Sequence, residues 1–142
     1  MNPDIQFTES GQLHQEELGD LLRAVGMGPY SADMLEGVMA GSTGYVTARD
    51  GGKLVGFGRV LSDLATLAYI NNMAVRPEYQ RLGIGQRILE LLLQRVERVR
   101  SVYLYTNTAD ALYLRNGFRL SEKRLYTLCG RSLPHSVGRP IK

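Results

Sequence analysis

Gln80, Arg81, Gly83, Gly85 and Gln86 stand in one short run, Gln80-Arg81-Leu82-Gly83-Ile84-Gly85-Gln86, which follows a β-rich segment and opens a stretch of helical periodicity. A loop that leaves a strand and enters a helix turns unpaired backbone N–H groups outward, and the helix dipole adds a fractional positive charge. Such a place binds phosphate. Gly83 and Gly85 have no Cβ to hold a ligand's oxygens off the amides, and Arg76, Arg81 and Arg87 add cationic charge nearby. The run is not a nucleoside-triphosphate loop, because no Lys-Ser or Lys-Thr follows the glycines. It also departs from a dinucleotide fingerprint, which needs a third glycine where Ile88 stands and a βαβ unit where a meander precedes.

The elements around this run can be read from spacing. Asp4 to Thr8 suits a short strand, and Leu18, Leu21, Leu22 and Val25 mark one face of a helix stopping at Gly26. Ser31 is placed to cap a second helix bearing Met34, Leu35, Val38 and Met39. Gly44 to Arg49 and Lys53 to Leu61 read as strands of a hairpin turned by Asp50-Gly51-Gly52, and Ala65 to Val75 continues the meander. Ile84, Ile88, Leu92, Val96 and Val99 then form the apolar stripe of the helix that the glycine run opens. Val102 to Thr106, a short helix from Ala109 to Arg115, and a last strand from Arg119 to Leu128 complete the series. Because a helix separates the third and fourth β-runs of this part, those strands should be parallel while the earlier ones pair antiparallel.

A chain of 142 residues suits one domain with a core of its own. The expectation is a single domain over 1–129 and a loosely ordered tail over 130–142, where Pro134, Gly138 and Pro140 fall. No apolar run reaches the roughly 20 residues of a membrane span, and the N-terminal residues lack a signal-peptide pattern, so a cytoplasmic location is expected. The one cysteine, Cys129, has no partner for an internal disulfide and no metal-ligand spacing around it, so no metal is expected. A net charge of +3 permits an anionic ligand without requiring one.

The run Gln80-Arg81-Leu82-Gly83-Ile84-Gly85, introduced by Met73-Ala74-Val75-Arg76-Pro77-Glu78-Tyr79, resembles the Q/R-x-x-G-x-G/A motif of the GNAT superfamily of N-acetyltransferases. A second block, Ala111-Leu112-Tyr113-Leu114-Arg115-Asn116-Gly117-Phe118, resembles that family's late Y-x-(R/K)-x-G-F signature. The resemblance extends from Phe7 to about Leu128. It implies an α/β (α+β) GNAT fold, with a mixed central sheet of six to seven strands splayed between two parallel strands and helices on both faces. It implies acetyl-CoA as cosubstrate, with amides from Arg81 through Leu82, Gly83, Ile84 and Gly85 to Gln86 on the pyrophosphate and Gln80 beside them. The backbone of Met73 and Val75 would meet the pantetheine arm, and Asn107 would hydrogen-bond it.

The implied reaction is direct attack of a primary amine, on a small molecule or an exposed amino group, at the thioester. A donor such as the Met73 amide would meet the developing oxyanion, and Tyr113 would protonate the leaving thiolate as general acid. The general base is open. The strand ahead of the motif reads Tyr69-Ile70-Asn71-Asn72-Met73, with asparagines where family members often carry an acid, so a water chain ordered by Asn71, Asn72 or Tyr69, or Asp63 from the preceding turn, is left to serve. Tyr30, Met34, Asn71 and Asn72, with Met27, are the candidates for the acceptor side. A monomer or homodimer is expected. Two other readings carry weight: an acyl-CoA sensor without transfer, and a basic nucleic-acid module using Arg76, Arg81, Arg87, Arg95, Arg98, Arg100, Tyr103 and Tyr105. Glu90 and Glu97 interrupt that basic stretch, which makes a nucleic acid an unlikely partner.

Overall fold

Five strands form one sheet in the order β1-β2-β3-β4-β5: β1 (Ile5–Glu9), β2 (Gly44–Asp50), β3 (Lys53–Ser62), β4 (Leu67–Val75) and β5 (Ser101–Tyr103). The computed structural model describes residues 4–130. Pairing is antiparallel from β1 to β4 and parallel between β4 and β5. That change of sense follows from helix α3 (Ile84–Arg95), which carries the chain back before β5 begins. Helices α1 (Gln15–Ala24) and α2 (Ala32–Gly41) lie between β1 and β2, and α4 (Asp110–Arg115) follows β5. Among the described residues no helix is long and apolar enough to cross a membrane.

Two apolar layers hold the sheet between helices. On one face Ile84, Ile88, Leu89 and Leu92 of α3 pack with Val46, Val55, Val60, Ala68 and Ile70. On the other, Leu18, Leu21 and Leu22 of α1 and Leu35 and Val38 of α2 meet Leu54, Phe57 and Ala74. Burial of each large aliphatic side chain contributes about 1.5–3 kcal/mol, so the periodic stripes decide where the helices sit. Ser31 caps α2 as its spacing predicts, its hydroxyl accepting from the Met34 amide at 3.1 Å.

One irregularity in β4 matters for everything that follows. Ala68 and Ile70 face the α3 core, and strict alternation would put Asn72 and Ala74 there too. Instead Met73 and Val75 pack on that core and Ala74 on the opposite one. The slip occurs at Asn72, which adopts left-handed backbone with φ 55°, as the register jumps from Phe57↔Ala74 to Arg59↔Asn71. This is a β-bulge opposite Gly58. A Cβ on Gly58 would stand 2.5 Å from Met73 Sδ and 2.8 Å from Ile88 Cγ2, so only glycine admits the displaced methionine. Beyond the bulge β4 has no strand neighbour on its outer edge among the described residues, because β5 pairs only with Leu67, Ala68 and Tyr69.

The sheet therefore has five strands among the described residues, fewer than the expected six to seven. Residues 119–130 form no strand. The Lys123 amide bonds to the Ser121 hydroxyl in a local turn, and Leu120 is 93% exposed, so a strand there would bury no face. β5 is also shorter than its run of apolar residues, because Thr106 turns its hydroxyl back to the amides of Thr108 and Ala109 and starts the entry to α4. Helix α3 stops at Arg95, short of the expected Val99. Cys129 lies outside any strand and is exposed. The tail expected over 130–142 falls, from residue 131 onward, outside the described residues.

Candidate active site

A cleft of about 750 Å³ opens where β4 and β5 part, within the size range of small-ligand sites. Asn71 to Val75 form one wall and Tyr105 to Ala109 the other. The start of α3 closes one end, and Tyr113 of α4 reaches the same space.

The start of α3 has a backbone geometry that can hold an anion. Arg81 and Gly83 take left-handed backbone, φ 66° and 80°, with Leu82 between them outside that region. This alternation turns successive amides to one side. The first backbone bond into the helix is from Arg87 to Gly83, and the amides from Arg81 to Gln86 have no hydrogen-bond acceptor among the described residues. Nothing lies within 4 Å of a Cβ built on Gly83. Gln80 Nε2 donates to the Val75 carbonyl at 3.0 Å, tying the turn to the end of β4.

Tyr113 is 7% exposed, and its ring packs edge-on to Phe118 with centroids 5.7 Å apart. Burial raises its pKa above the ordinary phenol value. Its hydroxyl has no hydrogen-bond partner among the described residues and is not sealed from solvent, which leaves it open to the cleft. A buried ring with a free hydroxyl, protonated at neutral pH, is suited to donating a proton. Asn107 and Asn71 likewise line the cleft with side-chain amides that bond to no described residue.

At the α1/α2 end, Arg59 Nε donates to Asn72 Oδ1 at 2.9 Å, and Asn72 Nδ2 donates to Tyr30 Oη at 3.2 Å. Arginine is donor-only, so it fixes which end of the amide faces it. Tyr30 Oη is then the acceptor in its bond to Asn72, and its own proton has no acceptor among the described residues. Among the described residues the cleft wall contains Arg81 and Arg115 but no Asp or Glu.

Comparison with known proteins places the chain in a family. Residues 41–120 match the model described as an acetyltransferase (GNAT) domain, more than half of the chain. The chain belongs to the GNAT acetyltransferase family. A probable acetyltransferase from meticillin-resistant Staphylococcus aureus shares the GNAT chain's fold with a TM-score of 0.80 and 26% identity, over 89% of this chain and all of that one. A GNAT-family acetyltransferase from Streptococcus pneumoniae shares the fold with a TM-score of 0.78 and 24% identity, over 91% of this chain and all of that one. The chloroplastic GCN5-related N-acetyltransferase 3 of Arabidopsis thaliana is 48% identical over 48 residues, 31% of this chain. The chain spans only 20% of that curated relative's length.

Most of the residues singled out by sequence border the GNAT cleft: Tyr30, Asn71, Asn72, Met73, Val75, Gln80, Arg81, Gly83, Ile84, Gly85, Gln86, Asn107 and Tyr113. Met34 and Leu82 do not; their side chains are 36% and 38% exposed and lie outside the lining. Met34 sits in the first turn of α2, where its amide serves the Ser31 cap. Asp63 also lies away from the cleft. Its carboxylate accepts from the Thr66 hydroxyl and the amides of Ala65, Thr66 and Leu67, which holds its pKa well below the usual carboxylate range and makes it a poor base. Tyr103, named with Tyr105 in the nucleic-acid reading, is half exposed and lines a separate groove.

Sequence reasoning missed the link between the two motif blocks. Gln86 and Asn116 exchange two amide hydrogen bonds of 2.8 Å, and Asn116 Nδ2 also donates to the Leu112 carbonyl at 2.7 Å. The start of α3 is thus fastened to the end of α4, which carries Tyr113. Asn116→Leu strands Gln86 Oε1 in a partly buried setting and leaves Gln86 Nε2 with Glu90 Oε2 alone, and about 1–3 kcal/mol of stability should be lost in denaturant unfolding. An unchanged midpoint would mean that water replaces the pair without cost.

Proposed function

We propose that this chain is an acetyl-CoA-dependent N-acetyltransferase that moves an acetyl group to a primary amine by direct attack, on a single domain spanning 1–129. The observation that carries this reading is the placement, across one cleft, of an unpaired amide nest at the start of α3 and the free Tyr113 hydroxyl on α4. The residues present fit the cosubstrate. Amides from Arg81 to Gln86 take the pyrophosphate, and Gly83 leaves open space before them. The outer edge of β4 at Met73 and Val75, unpaired among the described residues, accepts the pantetheine arm as an added strand would, with the Asn107 amide opposite.

Bound acetyl-CoA supplies the thioester whose acetyl group is transferred. The Met73 amide donates to the carbonyl oxygen as negative charge develops on it, and Tyr113 gives its proton to the departing sulfur. With no carboxylate in the cleft wall among the described residues, the amine's proton passes to water held by Asn71 and Asn72. The rate should therefore rise with pH through the amine's own pKa.

The test has two parts. CoA at about a hundredfold excess over its dissociation constant should add about 2.7 kcal/mol of stability, read as a raised melting temperature. Thiol release from acetyl-CoA with a panel of amines then reports transfer. No thermal shift sinks the reading. The same lack of an acid in the cleft favours a second reading, a non-catalytic acyl-CoA sensor, and a thermal shift without thiol release would select it.

A further inference from the structure

Arg59 has no counter-ion among the described residues; it lies outside the cleft lining, directly behind Asn72 of the cleft wall, to whose Oδ1 its Nε donates. It projects from β3 on the same face as Phe57, toward the α1/α2 layer, and is partly buried. None of the ion pairs among the described residues involves it. The ionisable groups that act on it are two phenols, Tyr30 and Tyr69, and burial lowers its pKa from the ordinary arginine value. Only Nε is engaged, on Asn72; the Nη1 and Nη2 donors have no acceptor among the described residues, yet neither is sealed from solvent. A partly desolvated charge left without a partner is costly unless something else supplies one.

The surroundings say what that partner should be. Asn72 and Tyr30, which line the cleft, stand directly beside Arg59; the Tyr30 oxygen accepts from Asn72, and its proton has no acceptor among the described residues. Donors therefore dominate this end of the site. Among the described residues the cleft wall has no carboxylate that could hold a second ammonium group, so a polyamine finds no described partner there. Guanidinium forks match carboxylate and phosphate oxygens in a bidentate way.

We propose that Arg59, aided by Tyr30 and Asn72, selects acceptor amines that carry an anionic group, a carboxylate or a phosphate. This rests on the acetyltransferase reading above, deepens it by naming the substrate class, and makes Arg59 a specificity-determining residue.

The experiment uses matched pairs of amines: β-alanine with β-alaninamide for the carboxylate arm, and O-phosphoethanolamine with ethanolamine for the phosphate arm. Two quantities are measured for each, thiol release from acetyl-CoA and the melting-temperature shift of the CoA-saturated protein. At least one charged member should exceed its neutral partner in kcat/KM, or in thermal shift where no turnover occurs, by about 10- to 100-fold in apparent affinity, the usual worth of hydrogen bonds to a charge. Whichever arm responds identifies the anion. Arg59→Gln should collapse that ratio toward one, chiefly through KM, while CoA alone still raises the melting temperature. Arg59→Lys, which keeps the charge, should retain part of the ratio and covers the case in which the glutamine variant fails to fold. Equal responses within both pairs, a preference for the neutral members, or an undiminished ratio in folded Arg59→Gln each overturn the proposal. Loss of the CoA shift in the wild type overturns the acetyltransferase reading instead.

Discussion

Tyr113→Phe is expected to bind acetyl-CoA normally while its turnover falls about ten- to ten-thousand-fold, the range for losing a positioned proton donor. The ring stays against Phe118, and the hydroxyl makes no hydrogen bond to a described residue, so stability should move by no more than about 0.5 kcal/mol. The loss should appear in the chemical step. Because burial raises the phenol's pKa, the wild-type donor remains protonated through neutral pH, and turnover falls only as pH rises through that raised value. The phenylalanine variant should lack this alkaline limb while keeping the acid limb set by the amine. Wild-type turnover in the variant, with chemistry shown to limit the rate, would make Tyr113 a packing residue and leave the thiolate to be protonated by water.

The parts of this site that could be read from sequence are those governed by local rules. The glycine turn, the stripe of α3, the Asp50-Gly51-Gly52 hairpin and the Ser31 cap each depend on residues within one or two turns of chain, and the structure forms all four. What could not be read depends on partners far apart in sequence. The bulge at Asn72 exists because Gly58, on the neighbouring strand, leaves room for Met73, and no local pattern announces it. Strict alternation would have turned Asn72 toward the α3 core; the bulge turns it toward Tyr30 and Arg59, and so shapes the α1/α2 end of the cleft. The Gln86–Asn116 pair spans 30 positions, although both residues sit inside recognisable motif blocks, which was the available hint. The missing sixth strand failed for the opposite reason: Arg119 to Leu128 has strand-like composition, but Ser121-Glu122-Lys123-Arg124 interrupts its alternation and a local turn wins.

Gly85→Val should separate the cosubstrate cradle from the fold more cleanly than any change at Gly83. Gly83 holds a φ of 80°, so a β-branched residue there costs about a kilocalorie or more in backbone strain and confounds binding with stability. Gly85 is in the first turn of α3, outside the left-handed region, and a Cβ on it would meet Leu112 Cδ2 at 3.7 Å and Val75 Cγ2 at 3.9 Å, both ordinary contacts. The protein itself therefore admits a side chain, and a helical site gains slightly when glycine is replaced. Added carbon at this position borders the cleft between β4 and α4, where the cosubstrate must approach the amides. CoA affinity should fall on the order of a hundredfold or more, equivalent to ~2.7 kcal/mol, by calorimetric titration, while the melting temperature without ligand stays near the wild-type value. Gly85→Ala, with the Cβ alone, should show the same opposition in milder form: unchanged or higher stability and weaker binding. If Gly85→Val folds and binds CoA with wild-type affinity, the amides at the start of α3 are not the pyrophosphate site, and the turn serves only to bring the chain from β4 into its helix.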